Sequence, residues 1–278
     1  EQQIEGQSLQ HFAYGTSSAK SITASFYAKS GSQNNGHNYT LQLRKYDSSD
    51  NTRIVTKAFT VTSSWQRFTM TFPGDTSNDI KNSTDYTGFE FIFQLATGPD
   101  DLVAEQPTWT STFTNWRGVT GNSNFMDNTN NEFYVTGCQL EVSPVATPFE
   151  HRSYADELQR CRRYYHCVYR RGASSDGNIS IGALGSLYTS NSVYIDMTLP
   201  TQMRTTPTLE TPSATNRYNH CPTSCIDFGN PSLLHGQKNA VTLNATLQGS
   251  NTAGRVGNTF AKTANWTEGE KLAFTAEI

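Results

Sequence analysis

Apolar residues recur at every second position along most of the chain, the period of a β-strand with one buried face. Ile22, Ala24, Phe26 and Ala28 fall on one face. Tyr39, Leu41 and Leu43 follow, run into the polar turn cluster Asp47-Ser48-Ser49-Asp50-Asn51, and return through Val55, Phe59 and Val61, which predicts a hairpin. Phe68, Met70 and Phe72 form a further strand that ends at Pro73-Gly74. Phe89, Phe91, Phe93 and Leu95 alternate with Glu90, Ile92 and Gln94, and Phe133 and Val135 lead through Leu140 and Val142 to Ser143-Pro144. Between these last two lies Thr97 to Asn130, rich in Asn, Thr, Gly and Trp and without period. A loop of that length inside a compact domain is functional or disordered.

The pattern changes at Ser153-Tyr154-Ala155-Asp156-Glu157-Leu158-Gln159-Arg160-Cys161. Ser153 followed three residues later by Asp156 forms a capping box, so a short helix is expected there. Period two then resumes in Tyr165, Cys167 and Tyr169, in Val193 to Leu199, in Val241 to Leu247 and in Leu272 to Ile278. The expected fold is all-β, two antiparallel jelly-roll-like β-sandwiches joined by a short helix. The expected divisions are residues 1–150, a helical linker at 151–162, and 163–278 as a C-terminal sandwich for receptor binding or trimerisation. Glu1 is not a natural start residue, so the first sandwich is expected to be truncated at its N-terminus. No repeat of 20–50 residues marks a β-helix or propeller.

Composition narrows the chemistry. Of the 278 residues 16% are charged, and Ser, Thr and Asn supply close to a third of the chain, a polarity without charge that suits sandwiches better than helical bundles. The 12% of aromatic residues leave enough apolar surface for a core and argue against disorder. A net charge of −3 leaves no basic footprint, so nucleic acid is not an expected partner. No apolar run approaches the ~18 residues of a membrane span, and the first residues carry no signal-peptide pattern, so a soluble chain without membrane insertion is expected.

Five cysteines, Cys138, Cys161, Cys167, Cys221 and Cys225, are too few and too scattered for a disulfide scaffold. His220-Cys221 and Cys225, with His166 and Cys167, include zinc-ligand types, but the C-x3-C pair has no matching second pair. Buried thiols or one loop disulfide are the expected state. No D-x-D-x-D-G calcium loop occurs, and neither a metal nor another cofactor is expected. The loop acids Asp75, Asp79, Asp85, Asp100, Asp101 and Glu105 show no spacing that picks out a glycosidase pair. Neither a nucleophile elbow nor a phosphate loop is present, so no catalytic residue is assigned and an enzyme is not expected. Five Asn-x-Ser/Thr sequons match what such a composition yields by chance.

Aromatic rings outside the alternating strands carry more information. Trp109, Trp116, Tyr86 and Phe125 stand in polar stretches, where an exposed ring can stack on a sugar while polar neighbours bond its hydroxyls. Trp116 with Arg117 is the preferred carbohydrate-binding pair, followed by Trp109 and Tyr86; the alternative is that such rings close the sandwich ends or form subunit contacts. Trp65, at the start of a strand, is expected in the core.

Several segments resemble one family. Ile4 to Thr16, Ser25 to Ser30, Trp65 to Thr76 and Phe133 to Val142 are similar to the carbohydrate-binding-module-like jelly roll of tailed-phage fibre proteins, especially from phages of marine and freshwater bacteria. Ala146-Thr147-Pro148-Phe149-Glu150-His151-Arg152-Ser153-Tyr154, with Glu157-Leu158, Cys161 and Arg163-Tyr164-Tyr165, resembles the junction that follows it. Leu199-Pro200, Met203-Arg204, Pro207-Thr208 and the final Leu272 to Ile278 resemble their C-terminal domain. The resemblance is close over the first ~155 residues and looser beyond; Thr110 to Asn130 and Asn216 to Asn239 match no part of it. It implies a virion fibre subunit, a homotrimer assembled in the bacterial cytoplasm, touching other virion proteins and a host-surface glycan. The alternatives are a non-binding capsid fibre, decoration or connector protein and, third, a glycan depolymerase.

Overall fold

The computed structural model describes residues 1–83, 86–111, 118–172, 178–212, 217–262, 265–267 and 269–277. The chain is all-β and divides into two compact units, Glu1–His151 and Arg152–Glu277, whose larger sheets are antiparallel, with one short parallel pair, Leu102–Val103 beside Gly118–Val119.

In the first unit the strands are β1 (Gln2–Glu5), β2 (Ile22–Ser30), β3 (Asn38–Tyr46), β4 (Thr52–Thr60), β5 (Gln66–Phe72), β6 (Thr87–Gln94), β7 (Leu102–Val103), β8 (Thr110–Ser111), β9 (Gly118–Val119) and β10 (Phe133–Glu141). A five-stranded sheet in the order β1-β6-β3-β4-β8 faces a three-stranded sheet, β10-β2-β5. The alternating residues read from the sequence meet between them: Phe26 packs edge-on to Phe59 and Phe93, and Tyr39 to Phe133. The predicted hairpin is β3–β4, paired from Asn38 opposite Thr60 to Tyr46 opposite Thr52. Its turn is closed by the Asp47 carboxylate, which accepts from the backbone N–H groups of Ser49 and Asn51, each at 2.9 Å.

The expected polar face of this sheet is not open to water. Thr40, Gln42, Arg44, Glu90 and Gln94 are all buried on the side away from the aromatic core. Part of the long excursion from Thr97 to Asn130 lies against it: Val119 N–H donates to Thr40 Oγ1 at 2.8 Å, and Thr40 Oγ1 donates to Asn122 Oδ1 at 2.9 Å. The buried polar groups are paired, as burial requires. Gln94 Nε2 donates to Gln42 Oε1 at 3.1 Å, and Arg44 forms an ion pair with Glu90.

The second unit opens with helix α1 (Tyr154–Arg162), capped as its sequence predicts: Ser153 Oγ accepts from Asp156 N–H at 3.2 Å. Its strands are β11 (Tyr165–Arg170), β12 (Asn178–Leu187), β13 (Ser192–Thr198), β14 (Thr208–Glu210), β15 (Tyr218–Cys221), β16 (Ile226–Phe228), β17 (Ser232–Gln237), β18 (Ala240–Thr246), β19 (Val256–Lys262) and β20 (Lys271–Thr275). A seven-stranded sheet, β16-β15-β19-β12-β13-β18-β17, packs against the three-stranded β11-β20-β14. Val193, Ile195, Leu243, Tyr218, Phe228, Trp266, Leu272 and Phe274 form the core. Cys221 and Cys225 are joined in a disulfide that closes the β15–β16 turn, one of the two states expected; Cys138, Cys161 and Cys167 are free thiols.

Candidate functional site

Of the four residues assigned to carbohydrate from the sequence, Trp116 and Arg117 lie outside the described residues. Trp109 needs correction. It is 7% exposed, its indole N–H donates to the Pro73 carbonyl at 2.8 Å, and its ring packs edge-on to Tyr14 and Phe89. A ring held on these sides is part of the core and offers no face to a sugar. Tyr86 is 61% exposed, but the Lys81 ammonium sits 4.3 Å from its ring centre. Phe125 is half-buried against the core, with its ring near Tyr39.

The loop acids do structural work. Asp75 is buried and forms ion pairs with Lys45 Nζ at 3.1 Å and Arg53 Nε at 2.9 Å. Lys45 is itself fully buried and also donates to the carbonyls of Asn78 and Asp79, each at 2.7 Å. Asp79 accepts from Ser48 N–H and Glu105 from Ala58 N–H. Asp100 and Asp101 lie in a 3₁₀ turn, and Asp85 lies outside the described residues. Among the described residues, no group of three or more His, Cys, Asp or Glu is placed to hold a metal ion.

Three exposed aromatics, Tyr27, Trp65 and Tyr134, converge elsewhere, on the outward face of the β10-β2-β5 sheet. Along β5 the side chains of Phe68, Met70 and Phe72 point inward, so strand parity sends Arg67, Thr69 and the preceding Trp65 outward. The expectation that Trp65 belongs to the core is therefore corrected: it is 49% exposed. Tyr134 on β10 stands directly opposite Lys29 on β2 and is 41% exposed. The Lys29 ammonium lies 4.8 Å from the Tyr134 ring centre and 5.5 Å from that of Trp65, within cation–π range of both. Tyr134 on β10, Lys29 on β2 and Trp65 just before β5 thus form a row.

The next row holds Thr136, Tyr27 and Arg67. Beside it β10 bulges between Thr136 and Gln139, and Gly137 adopts φ +58°, a left-handed conformation suited to glycine. A Cβ at Gly137 would stand 3.2 Å from the Tyr27 ring. Further along, the segment after β10 covers the face. Thr23 and Thr71 donate to the carbonyls of Ser143 and Pro144, and Arg67 donates to that of Thr147. The open part is therefore bounded and centred on Lys29. At its rim the Glu132 carboxylate raises the pKa of the Tyr134 phenol.

The signal for this site was present in the sequence as parity, since Trp65 is out of phase with Phe68 and Tyr134 with Phe133. No protein-family model matches the chain, and no curated protein matches its sequence.

Proposed function

We propose that this chain is a virion fibre subunit of a tailed phage that attaches to a glycan on the host surface, with the outward face of β10-β2-β5 as the contact. The observation that carries this reading is the exposed row of Tyr134, Lys29 and Trp65. Two rings on either side of Lys29, one on β10 and one just before β5, two inter-strand spacings or ~10 Å apart, offer stacking planes to consecutive pyranose residues, and the polar groups between and beside them can bond hydroxyls. The resemblance of the same strands to fibre jelly rolls supports the assignment to a virion. One such site is weak, and a homotrimer presents several copies at high effective concentration.

A second reading, a structural virion subunit that binds no glycan, draws support from the second unit. There Leu184, Tyr188 and Val256 are exposed on the outward face of the seven-stranded sheet, an apolar surface suited to contact with another chain.

The deciding experiment measures binding of the purified oligomer to a glycan array and to host cells, with Trp65→Ala and Tyr134→Ala alongside. Saturable binding that both variants lose, with folding and oligomeric state intact, is the expected result. Binding that survives both substitutions moves the contact elsewhere, and no binding to host cells favours the structural subunit.

A further inference from the structure

We infer that the glycan recognised by the β10-β2-β5 face is acidic, with a carboxylate, sulfate or phosphate group seated on Lys29. This rests on the attachment reading above and specifies its ligand class.

The argument begins with how the ammonium is held. Lys45, Lys81, Lys262 and Lys271 each meet a carboxylate. Lys29 does not: among the described residues it contacts the Trp65 and Tyr134 rings and no acid lies within ion-pair distance. A carboxylate would position the ammonium and neutralise it, whereas two rings position it and leave the charge available. The other charges on this face are already engaged. The Glu132 carboxylate acts on the Tyr134 hydroxyl, whose pKa it raises. Arg67 donates to the Thr147 carbonyl and to Ser25 Oγ, and its charge helps hold the Glu141 carboxyl below its usual range. An anionic sugar laid across the row would place its acid group on Lys29 and its C–H faces on the rings to either side.

Bulk charge does not produce this preference. The chain carries a net charge of −3, which opposes polyanions, so any acidic selectivity must be local. An exposed ion pair contributes little alone, hence rings and ammonium should both be required.

The test is affinity electrophoresis of the full chain through gels containing alginate (carboxylated), dextran sulfate (sulfated) or dextran (neutral), with Lys29→Met, Lys29→Arg and Trp65→Ala. The expected result is retardation by alginate or dextran sulfate but not dextran, weakened about tenfold in Lys29→Met and largely kept in Lys29→Arg. Raising salt should weaken the parent chain more than Lys29→Met. Equal retardation by dextran, unchanged retardation of Lys29→Met, or no retardation in any gel overturns the proposal. Loss in Trp65→Ala with no loss in Lys29→Met sinks the acidic ligand and keeps the platform. Retardation indifferent to Trp65→Ala counts against the platform itself, and the host-cell assay judges attachment independently.

Discussion

At the scale of single residues, two buried titratable groups set the largest expectations. Lys45 shares Asp75 with Arg53 and donates to two carbonyls. Lys45→Met leaves that carboxylate with Arg53 as its charged partner beside the N–H groups of Ser77 and Asn78, leaves the two carbonyls without the ammonium, and should lower the stability of the first unit by about 3–5 kcal/mol, read as a reduced urea midpoint. His220 is fully buried, and neither ring nitrogen meets a hydrogen-bond partner; burial pushes its pKa down. The unfolded chain takes up this proton near pH 6.5, the folded chain only at lower pH. Between these values the unfolded state binds more protons, so stability falls as pH drops below about 6.5 and is unaffected above it. His166, whose pKa is lowered by burial and by Arg162, adds to the same slope. The melting temperature should drop between pH 7 and pH 5, and by less in His220→Leu. Asp47 acts in a separate window. Burial alone would raise its pKa, but hydrogen bonds from Asn51, Ser49 and Asn78 hold it lower, so its contribution is lost only under more acidic conditions. None of these environments is legible in the sequence, because each depends on which distant strands come to surround the group. The outward position of Trp65, by contrast, follows from counting back from Phe68 in steps of two.

At the scale of elements, period two located the long strands of the first unit and, in the second, β11, β13, β18 and β20, but not β12 or β19, and the capping pair Ser153 and Asp156 located the helix. It did not foresee that Gln42, Arg44, Glu90 and Gln94 would be covered. Alternation says that one face is apolar, and says nothing about a later segment folding over the other. The candidate site follows the same division: its rings stand on predicted strands, while the limits of the open face are drawn by the chain after β10. The bulge at Gly137 is the element most closely tied to that face. Gly137→Ala puts a Cβ into a left-handed residue and against Tyr27, and should cost about 1–2 kcal/mol. If the face binds glycan, the same change should weaken retardation in the gels by displacing Tyr27.

At the scale of the whole molecule, each compact unit has its own core. Residues 1–151 expressed alone should unfold in one cooperative transition, followed by the fluorescence of Trp65, Trp109 and Trp116. If the β10-β2-β5 face binds glycan, that fragment should retain the full chain's preference, and if the full chain assembles into a trimer it should lose only what multiple copies add, an affinity gain on the order of 10²-fold or more. Preference that disappears with the second unit would place recognition outside the β10-β2-β5 face.

The buried ammonium of Lys45 has one more consequence. Carbonyl and carboxylate oxygens gathered around a positive charge are the ligand set that loops commonly offer to dissolved calcium, and here the charge arrives covalently attached. A tethered ion has no dissociation constant and no supply to depend on. The loop that holds it, from Asp75 to Asp79, should be as well ordered in dilute fresh water as in brine, and a chelator such as EDTA should leave the melting temperature of the first unit unchanged.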